Sequence, residues 1–249
     1  GSAMHEWALA TVSPRAPEVL RAEVSVAEPE AVRWAGRHGY VETARSWESR
    51  LDVSHARLHA LDDGGQRAQA AGVVVVSLAA VARGATPAEV DAIERQLFSL
   101  NVEATADIPT VDPIVHPDFE AWRTTVLRLP GFVDGAIFLA QVDGQVVGTA
   151  QLEVRARTPG VLHQGFLGVR RAWRGRGVAQ LLKCETVREA RRRGAHEIRT
   201  FNTDRNHVMM RINERVGFVR QPATIDRVRH VRPYVPTPQS GTSADTHDA

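Results

Sequence analysis

The sequence predicts a mixed α/β or α+β fold, with helices on both faces of a sheet, and three observations carry that prediction. Strand-like and helix-like patterns alternate along the last third of the chain. Two strand patterns, residues 136–142 and 145–157, flank Asp143-Gly144, which is a strong hairpin signal. The β-branched run 73–76 lies in an apolar stretch (70–82) that is shorter than the roughly 20 residues of a membrane helix, so it favours a buried strand.

The first part of the chain, to about residue 60, is predicted to contain short elements. A strand over 19–26 precedes a helix over 29–38, because Pro29 suits a first helical turn and Gly39 a helix end. Two short strands are predicted over 40–53. The polar, glycine-rich segment 62–69 (DDGGQRAQ) is predicted to be a linker.

The second part is predicted to begin with a strand over 72–81. Thr86, Pro87 and Glu89 form the pattern of an N-cap, a first-turn proline and a capping box, so a helix is predicted from there to about Leu100. The remaining predicted elements are a loop over 105–117, a helix over 118–129, the hairpin, a strand over 161–169, a long helix over 177–193, a strand over 197–201, a helix over 206–216 and a strand from 218.

Composition excludes several classes of protein. A chain of 249 residues that is 43% hydrophobic can bury a sizeable core and is not disordered as a whole. Its single cysteine, Cys184, excludes a disulfide framework and a cysteine-based zinc site, and the histidines show no metal-ligand spacing. A formal charge of +2 gives no argument for nucleic acid. With no signal-peptide pattern and no membrane segment, we expect a cytoplasmic protein without metal.

The segment between the predicted strand at 161–169 and the long helix carries the chemistry. Gly175 and Gly177 allow a tight turn and a close approach to a ligand, and the helix that follows begins with unpaired N–H groups that favour an anion. Arg174 and Arg176 add positive charge. This pattern indicates a pyrophosphate site. An ordinary glycine-rich turn with solvated arginines would have the same sequence pattern and is the alternative. It is not a P-loop, which ends in Gly-Lys-Ser/Thr, nor a dinucleotide fingerprint, because Gln180 stands at the third glycine.

At this turn the sequence resembles the GNAT superfamily of acyl-CoA-dependent N-acyltransferases. Arg174-x-x-Gly177-x-Ala179 matches its Gln/Arg-x-x-Gly-x-Gly/Ala signature. Asn206-x-x-Met209-x-x-Ile212-Asn213-x-x-x-Gly217-Phe218 resembles its second block. With Thr200-x-Asn202 ahead, the chain looks most like bacterial tandem GNAT proteins of the mycothiol synthase-like type.

The resemblance implies a GNAT fold, with a mixed, mostly antiparallel twisted sheet flanked by helices, and a division into domains. Residues 71–232 would be the catalytic domain, joined by a linker (61–70) to a truncated GNAT-like half (5–60) that lacks its own Arg-x-x-Gly turn. This half would cover the catalytic domain, pair with the sheet of another chain in a homodimer, or pack as an irregular cap. Residues 233–249 are predicted to be a disordered tail.

The resemblance also implies a binding mode for the acyl donor. The strand around Phe166 to Val169 would splay from its neighbour and bind the pantetheine arm, with one N–H near Leu167 to Val169 polarising the thioester. Backbone N–H groups of the turn would hold the pyrophosphate, so loss of Gly177 should cost more than loss of Arg176. The residues assigned to the donor are Leu167, Gly168, Val169, Arg174, Gly175, Arg176, Gly177, Val178, Ala179, Asn202 and Asn206.

Three residues are candidates for the chemistry. The amine must lose a proton before it attacks, and Glu153 or His163 would take it; the alternatives are a solvated strand glutamate and a hydrogen-bonded strand histidine. The family's usual acid, a tyrosine, falls at Asn213, which cannot donate a proton as an acid and would hydrogen-bond the donor instead. Asn202 and Asn206 would contact the donor or cap a helix, and Cys184 is expected in the core.

The predicted function is N-acyl transfer, with acetyl as the expected acyl group, to a primary amine of a small molecule or peptide. A non-catalytic acyl-CoA sensor or scaffold is one alternative, and the second is an acyltransferase loaded by a carrier protein, which would not need the pyrophosphate site. We expect no nucleic-acid or membrane partner. The acceptor would lie near residues 105–135 and 155–165, and the side chains of interest there are His116, Asp118, Trp122 and Phe132.

Overall fold

The computed structural model describes residues 2–15, 17–107, 115–129, 131 and 136–231. Its α-helices are α1 (Ser2–Val12), α2 (Pro29–Arg37), α3 (Asp62–Ala70), α4 (Leu78–Gly84), α5 (Pro87–Thr105), α6 (Phe119–Trp122), α7 (Val178–Arg192) and α8 (His207–Val216). Its strands are β1 (Val19–Ser25), β2 (Val41–Asp52), β3 (Val74–Ser77), β4 (Ala136–Val142), β5 (Gln145–Val154), β6 (Val161–Val169), β7 (Glu197–Thr203), β8 (Val219–Arg220) and β9 (Thr224–His230). A π-helix, Arg123–Leu127, follows α6 directly. The predicted tail, residues 233–249, lies outside the described residues.

The chain divides into two compact units. Among the described residues, the first contains those of 2–43 and 225–231, and the second contains those of 44–224. In the first unit, β1, β9 and the start of β2 are neighbouring strands. His5 on α1 lies edge-on to Trp34 and His38 on or just after α2. These units differ from the domains expected from the sequence, because residues 44–60 belong to the second unit.

The second unit contains a sheet in the order β2-β7-β6-β5-β4-β3. All neighbouring pairs are antiparallel except β6 and β7, which run parallel. This mixed and mostly antiparallel sheet with helices on both faces confirms the predicted fold class. Positions 46–52 of β2 pair with positions 203–197 of β7, so this strand of the first part of the chain completes the sheet of the second unit.

Alternating side chains of the central strands build two cores. On one face, Phe138 and Ala140 of β4 join a cluster with α3 and α7. On the other face, Ile137 and Leu139 pack with α5 and the α6 segment around Trp122. Since successive side chains of a strand point to opposite faces, the continuous apolar run of β4 serves both cores.

Three predicted elements are wrong at the level of secondary structure. The predicted linker is helix α3, in which Gly64, Gly65 and Ala68 are buried because they pack closely on α7. The two short strands predicted over 40–53 are the single strand β2, which pairs with β7 over residues 46–52. The strand predicted over 72–81 stops at Ser77, whose hydroxyl accepts a hydrogen bond from the Ala80 N–H and thereby begins α4.

Candidate functional site

The parallel strands β6 and β7 separate in the middle of the sheet. Their pairing runs from Val161 opposite Glu197 to Gln164 opposite Thr200 and stops there. Beyond this point β6 pairs only with β5, and β7 only with β2. The predicted splay of the strand before the turn is therefore present in the structure.

The open edge of β6 presents backbone groups to the space between the strands. The Arg170 N–H donates to Val147 O on the β5 side. Because successive N–H groups of a strand point to opposite edges, those of Leu167 and Val169 point away from β5 and toward the opening. These two N–H groups can donate hydrogen bonds to an extended ligand, which would then lie along β6 like an added strand.

Two cavities follow the opening and share part of their lining. The larger, which we call the donor groove, has a volume of about 560 Å³. It is lined by Ala104, Asp107, Phe166, Leu167, Gly168, Val169, Arg174, Ala179, Arg205, Asn206, His207, Val208, Met209 and Arg211. The smaller, which we call the inner chamber, has a volume of about 160 Å³. It is lined by Gln164, Gly165, Phe166, Leu167, Lys183, Thr200, Phe201, Asn202, Thr203, Asn206 and Met209.

The N terminus of α7 lies at the end of the donor groove. Gly175 and Gly177 have φ values of +75° and +86°, a region that glycine enters at little cost. The first helical bonds are those from the Gln180 and Leu181 N–H groups to Gly177 O. The N–H groups before them have no backbone acceptor in the described residues, and together with the helix dipole they favour an anion.

A carboxylate pair at the end of α5 holds this turn in place. Glu103 accepts a hydrogen bond of 2.7 Å from the backbone N–H of Arg171 and forms an ion pair of 3.0 Å with the Arg170 side chain. Asp107 binds Arg171 at 2.6 Å and Arg174 at 2.7 Å. The hydrogen bonds from Arg171 and then Arg174 hold the pKa of Asp107 far below its usual range, so this group is an anion.

The Arg171 and Arg174 side chains are therefore occupied by the protein itself. Arg174 is bound to Asp107 and to Val169 O, whereas Arg176 lies 4.8 Å above the Trp173 ring. What remains for an anion at this turn is the row of backbone N–H groups and the Arg176 guanidinium. Arg205 and Arg211, which the sequence reasoning missed, line the groove without a carboxylate partner in the described ranges. Their signal in the sequence is the placement of basic residues around Asn206.

The residues predicted to bind the donor are only partly brought together. Leu167, Gly168, Val169, Arg174, Ala179 and Asn206 line the donor groove, and Asn202 lines the chamber. Gly175, Arg176, Gly177 and Val178 form the turn but do not line the groove. Val178 is a core residue, and the carbonyl of Gly64 in α3 covers the Cα of Gly177. Gly177 is thus required by packing, independently of any ligand.

The two asparagines before and within α8 are held by specific hydrogen bonds. Asn206 caps the helix, because its side chain accepts from the Met209 N–H at 3.3 Å, and it also lines both cavities. Asn213 is 2% exposed and donates its amide to Asn202 Oδ1 at 2.8 Å. Asn213 therefore orients Asn202, and it lines neither the groove nor the chamber.

Glu153 and His163 are cross-strand neighbours on β5 and β6. Glu153 is ion-paired with Arg155 at 2.9 Å and is packed against Gly131. His163 is 7% exposed, with Nε2 3.2 Å from the Thr158 hydroxyl. Burial and then the nearby Arg155 lower the pKa of His163, which keeps the imidazole neutral at pH 7. Neither residue is part of the lining of the groove or the chamber.

The remaining candidates have structural partners. The Thr105 hydroxyl lies 3.2 Å from His116 Nε2, Asp118 caps α6, and Trp122 is 3% exposed in the second core. Phe132 lies outside the described residues. Cys184 is buried in the first core, as predicted.

Two features are absent from the described residues. No group of three or more His, Cys, Asp or Glu side chains in these ranges could hold a metal ion. Within the same ranges, every helix is too short or too polar to cross a membrane.

Comparison with known proteins gives one family and a set of similar folds. Residues 100–218 match the model of the acetyltransferase (GNAT) family. A GCN5-related N-acetyltransferase from Sphaerobacter thermophilus is 20% identical, over 95% of this chain and 70% of that one, with a TM-score of 0.65. A tandem GNAT protein from the clavulanic acid biosynthesis pathway is 19% identical, over 94% and 70%, with a TM-score of 0.66. At these identities the structures show a shared fold.

Proposed function

We propose that this chain transfers an acyl group from acyl-CoA to a primary amine, because residues 100–218 match the model of the acetyltransferase (GNAT) family. Acetyl is the expected acyl group, and the acceptor is a small molecule or a peptide. The observation that carries the proposal is the donor groove, in which the open edge of β6 leads to the unpaired N terminus of α7.

The groove matches the chemistry of acyl-CoA along its length. The pantetheine arm carries amides, which would pair with the open edge of β6 at Leu167 and Val169. The pyrophosphate would accept hydrogen bonds from the first N–H groups of α7. Arg205 and Arg211 would pair with the phosphate of CoA that is not part of the pyrophosphate, since neither arginine is bound to a carboxylate among the described residues.

The reaction is direct attack of the amine on the thioester. Binding both reactants at the splay makes the encounter intramolecular, which supplies most of the rate gain. An N–H of Leu167 or Val169 would stabilise the negative charge that develops on the carbonyl oxygen. No covalent acyl-enzyme is needed.

His163 is the better of the two candidate bases. A base must be deprotonated and free to accept a proton at the working pH, and the lowered pKa of His163 meets the first condition. Glu153 is engaged by Arg155. Because His163 lines neither cavity, proton transfer would pass from the acceptor amine to His163 through water.

A pair of variants separates these candidates. We expect His163→Gln to lower kcat/KM about 100-fold and to remove the acid limb of the pH profile, because general bases contribute about 10²–10⁴-fold. That limb falls below pH 6.5, since the neutral base is lost as the pH drops through a lowered pKa. Glu153→Gln is the matched control and should keep the limb. The reverse pattern would assign the base to Glu153.

The proposed function is tested by calorimetric titration with acetyl-CoA and longer acyl-CoAs, followed by thiol release with a panel of amines. We expect micromolar binding, with the preferred chain length naming the acyl group, and thiol release that depends on both substrates. Binding without thiol release for any amine would favour the acyl-CoA sensor. No binding to any acyl-CoA would refute the proposal and favour loading by a carrier protein.

The same proposal includes three expectations about the first part of the chain, the oligomeric state and the cellular location. Residues 5–60 would be the remnant of a first GNAT-like domain that binds no acyl-CoA of its own. A homodimer would form through this part of the chain. A cytoplasmic location follows from the donor, which is an intracellular metabolite.

A further inference from the structure

Lys183 is a buried amine beside the proposed acyl-donor site. It is the chain's single lysine, it lies in α7, and it is 1% exposed. Its Nζ donates to Gln164 Oε1 at 2.5 Å and lies 4.8 Å from the centre of the Phe218 ring. No carboxylate pairs with it in the described part of the chain. A buried cation without a counter-ion is costly, so packing gives little reason for a lysine here.

The inner chamber contains little that could compete with this amine for a proton. Its lining includes no other titratable side chain. Burial alone lowers the pKa of Lys183 to about 7, so that the amine exchanges a proton near neutral pH. Gln164, which is 5% exposed, has an Nε2 without a partner among the described residues. The chamber thus contains an unused donor next to the amine.

The chamber opens where β6 and β7 separate. It shares Phe166, Leu167, Asn206 and Met209 with the donor groove, so an arm lying along β6 would end at the chamber. Asn213 cannot serve there as an acid, because it is an amide whose N–H is already given to Asn202. Among the described residues that line either cavity, Lys183 is the one buried side chain that is titratable and has no carboxylate partner.

We propose that the Lys183 ammonium protonates the thiolate that leaves the acyl donor. This rests on the proposed function and adds a catalytic residue to it. The nitrogen of the acceptor amine forms a bond to the carbonyl carbon of the thioester, and the C–S bond breaks with its electron pair on sulfur. Lys183 Nζ gives its proton to the sulfur and becomes a neutral amine that donates to Gln164. A proton from solvent restores the ammonium when the free thiol leaves.

The test measures protons rather than turnover. CoA and desulfo-CoA, which lacks the thiol, are titrated into the protein at pH 7 in two buffers of different ionisation enthalpy. Before binding, the Lys183 amine is partly protonated at pH 7, because burial lowers its pKa to about 7, and the thiol is protonated. The bound pair of amine and sulfur shares one proton, so CoA should release more protons than desulfo-CoA, by the fraction of Lys183 that was protonated before binding.

Lys183→Met, which has a similar volume and leaves no buried charge, should abolish that difference while CoA still binds. Its kcat should fall about 100-fold with little change in KM. Cys184→Ala, at the next position of α7, is the matched control and should release protons as the wild type does. An equal proton count for both ligands in the wild type, or a difference that survives in Lys183→Met, would overturn the proposal while donor binding stands. Failure of the wild type to bind either ligand would overturn the proposed function itself.

Discussion

Ala179→Glu is expected to lower the affinity for acetyl-CoA at least about 100-fold, or about 3 kcal/mol, while the fold stays as stable as the wild type. Ala179 lies in the first turn of α7, is half-buried and lines the donor groove. A carboxylate in a first helical turn is favoured by the dipole, so the helix itself should not suffer. The same carboxylate would occupy the N–H groups proposed for the pyrophosphate and repel that anion.

Ala179→Gln is the matched control, because it has the length of glutamate without its charge. We expect it to cost less than about 10-fold in affinity, since only the steric part of the effect remains. Calorimetric titration measures both variants, and urea unfolding verifies that they are folded. Equal losses for Glu and Gln would mean that bulk, not charge, blocks the groove. Unchanged affinity in Ala179→Glu would place the pyrophosphate elsewhere.

Gly177→Ala is expected to destabilise the protein by about 3 kcal/mol or more, against about 1 kcal/mol for Gly175→Ala. Both glycines have positive φ, so both substitutions carry the cost of a left-handed alanine. They differ in their surroundings. A Cβ at Gly177 would overlap the backbone of Gly64 in α3, whereas a Cβ at Gly175 meets nothing within 4 Å. Backbone atoms cannot rotate away, so α3 or the turn must shift.

Urea unfolding of the two variants measures this difference directly. Equal losses at the two positions would mean that α3 does not contact the turn closely. The result also decides how the donor site should be probed. A substitution at Gly177 changes the packing of α3 as well as any ligand contact, so loss of binding there would not identify the site. Ala179 is the more direct probe because it lines the groove, and its contact with the first core is only partial.

Local patterns were sufficient where a few neighbouring residues determine the backbone. Thr86 and Glu89 make the predicted capping box around Pro87, and α5 begins there. Asp143-Gly144 makes the predicted hairpin, with strands β4 and β5 beginning and ending close to the predicted residues. In both cases the deciding contacts lie within four residues, so the sequence alone contains them.

Local patterns failed where distant segments set the conformation. The segment DDGGQRAQ has the composition of a linker, yet it is helix α3, because its glycines allow close packing on the start of α7. The sequence predicts two short strands where the structure has the single strand β2, whose residues 46–52 pair with the distant strand β7. Glu103 and Asp107 were not recognised as part of the site, since their arginine partners lie more than 60 residues away.

The sequence by itself determined the fold class, the Arg174–Ala179 turn and its position between a strand and a helix, because glycine placement and periodicity are local properties. Only the tertiary structure decided which groups of that turn remain free. It pairs Arg174 with Asp107, covers Gly177 with α3 and leaves the backbone N–H groups for an anion. It also buries Lys183, which in the sequence is an ordinary helical lysine. Burial and pairing are set by segments that are distant in the sequence, and the proposed chemistry depends on both.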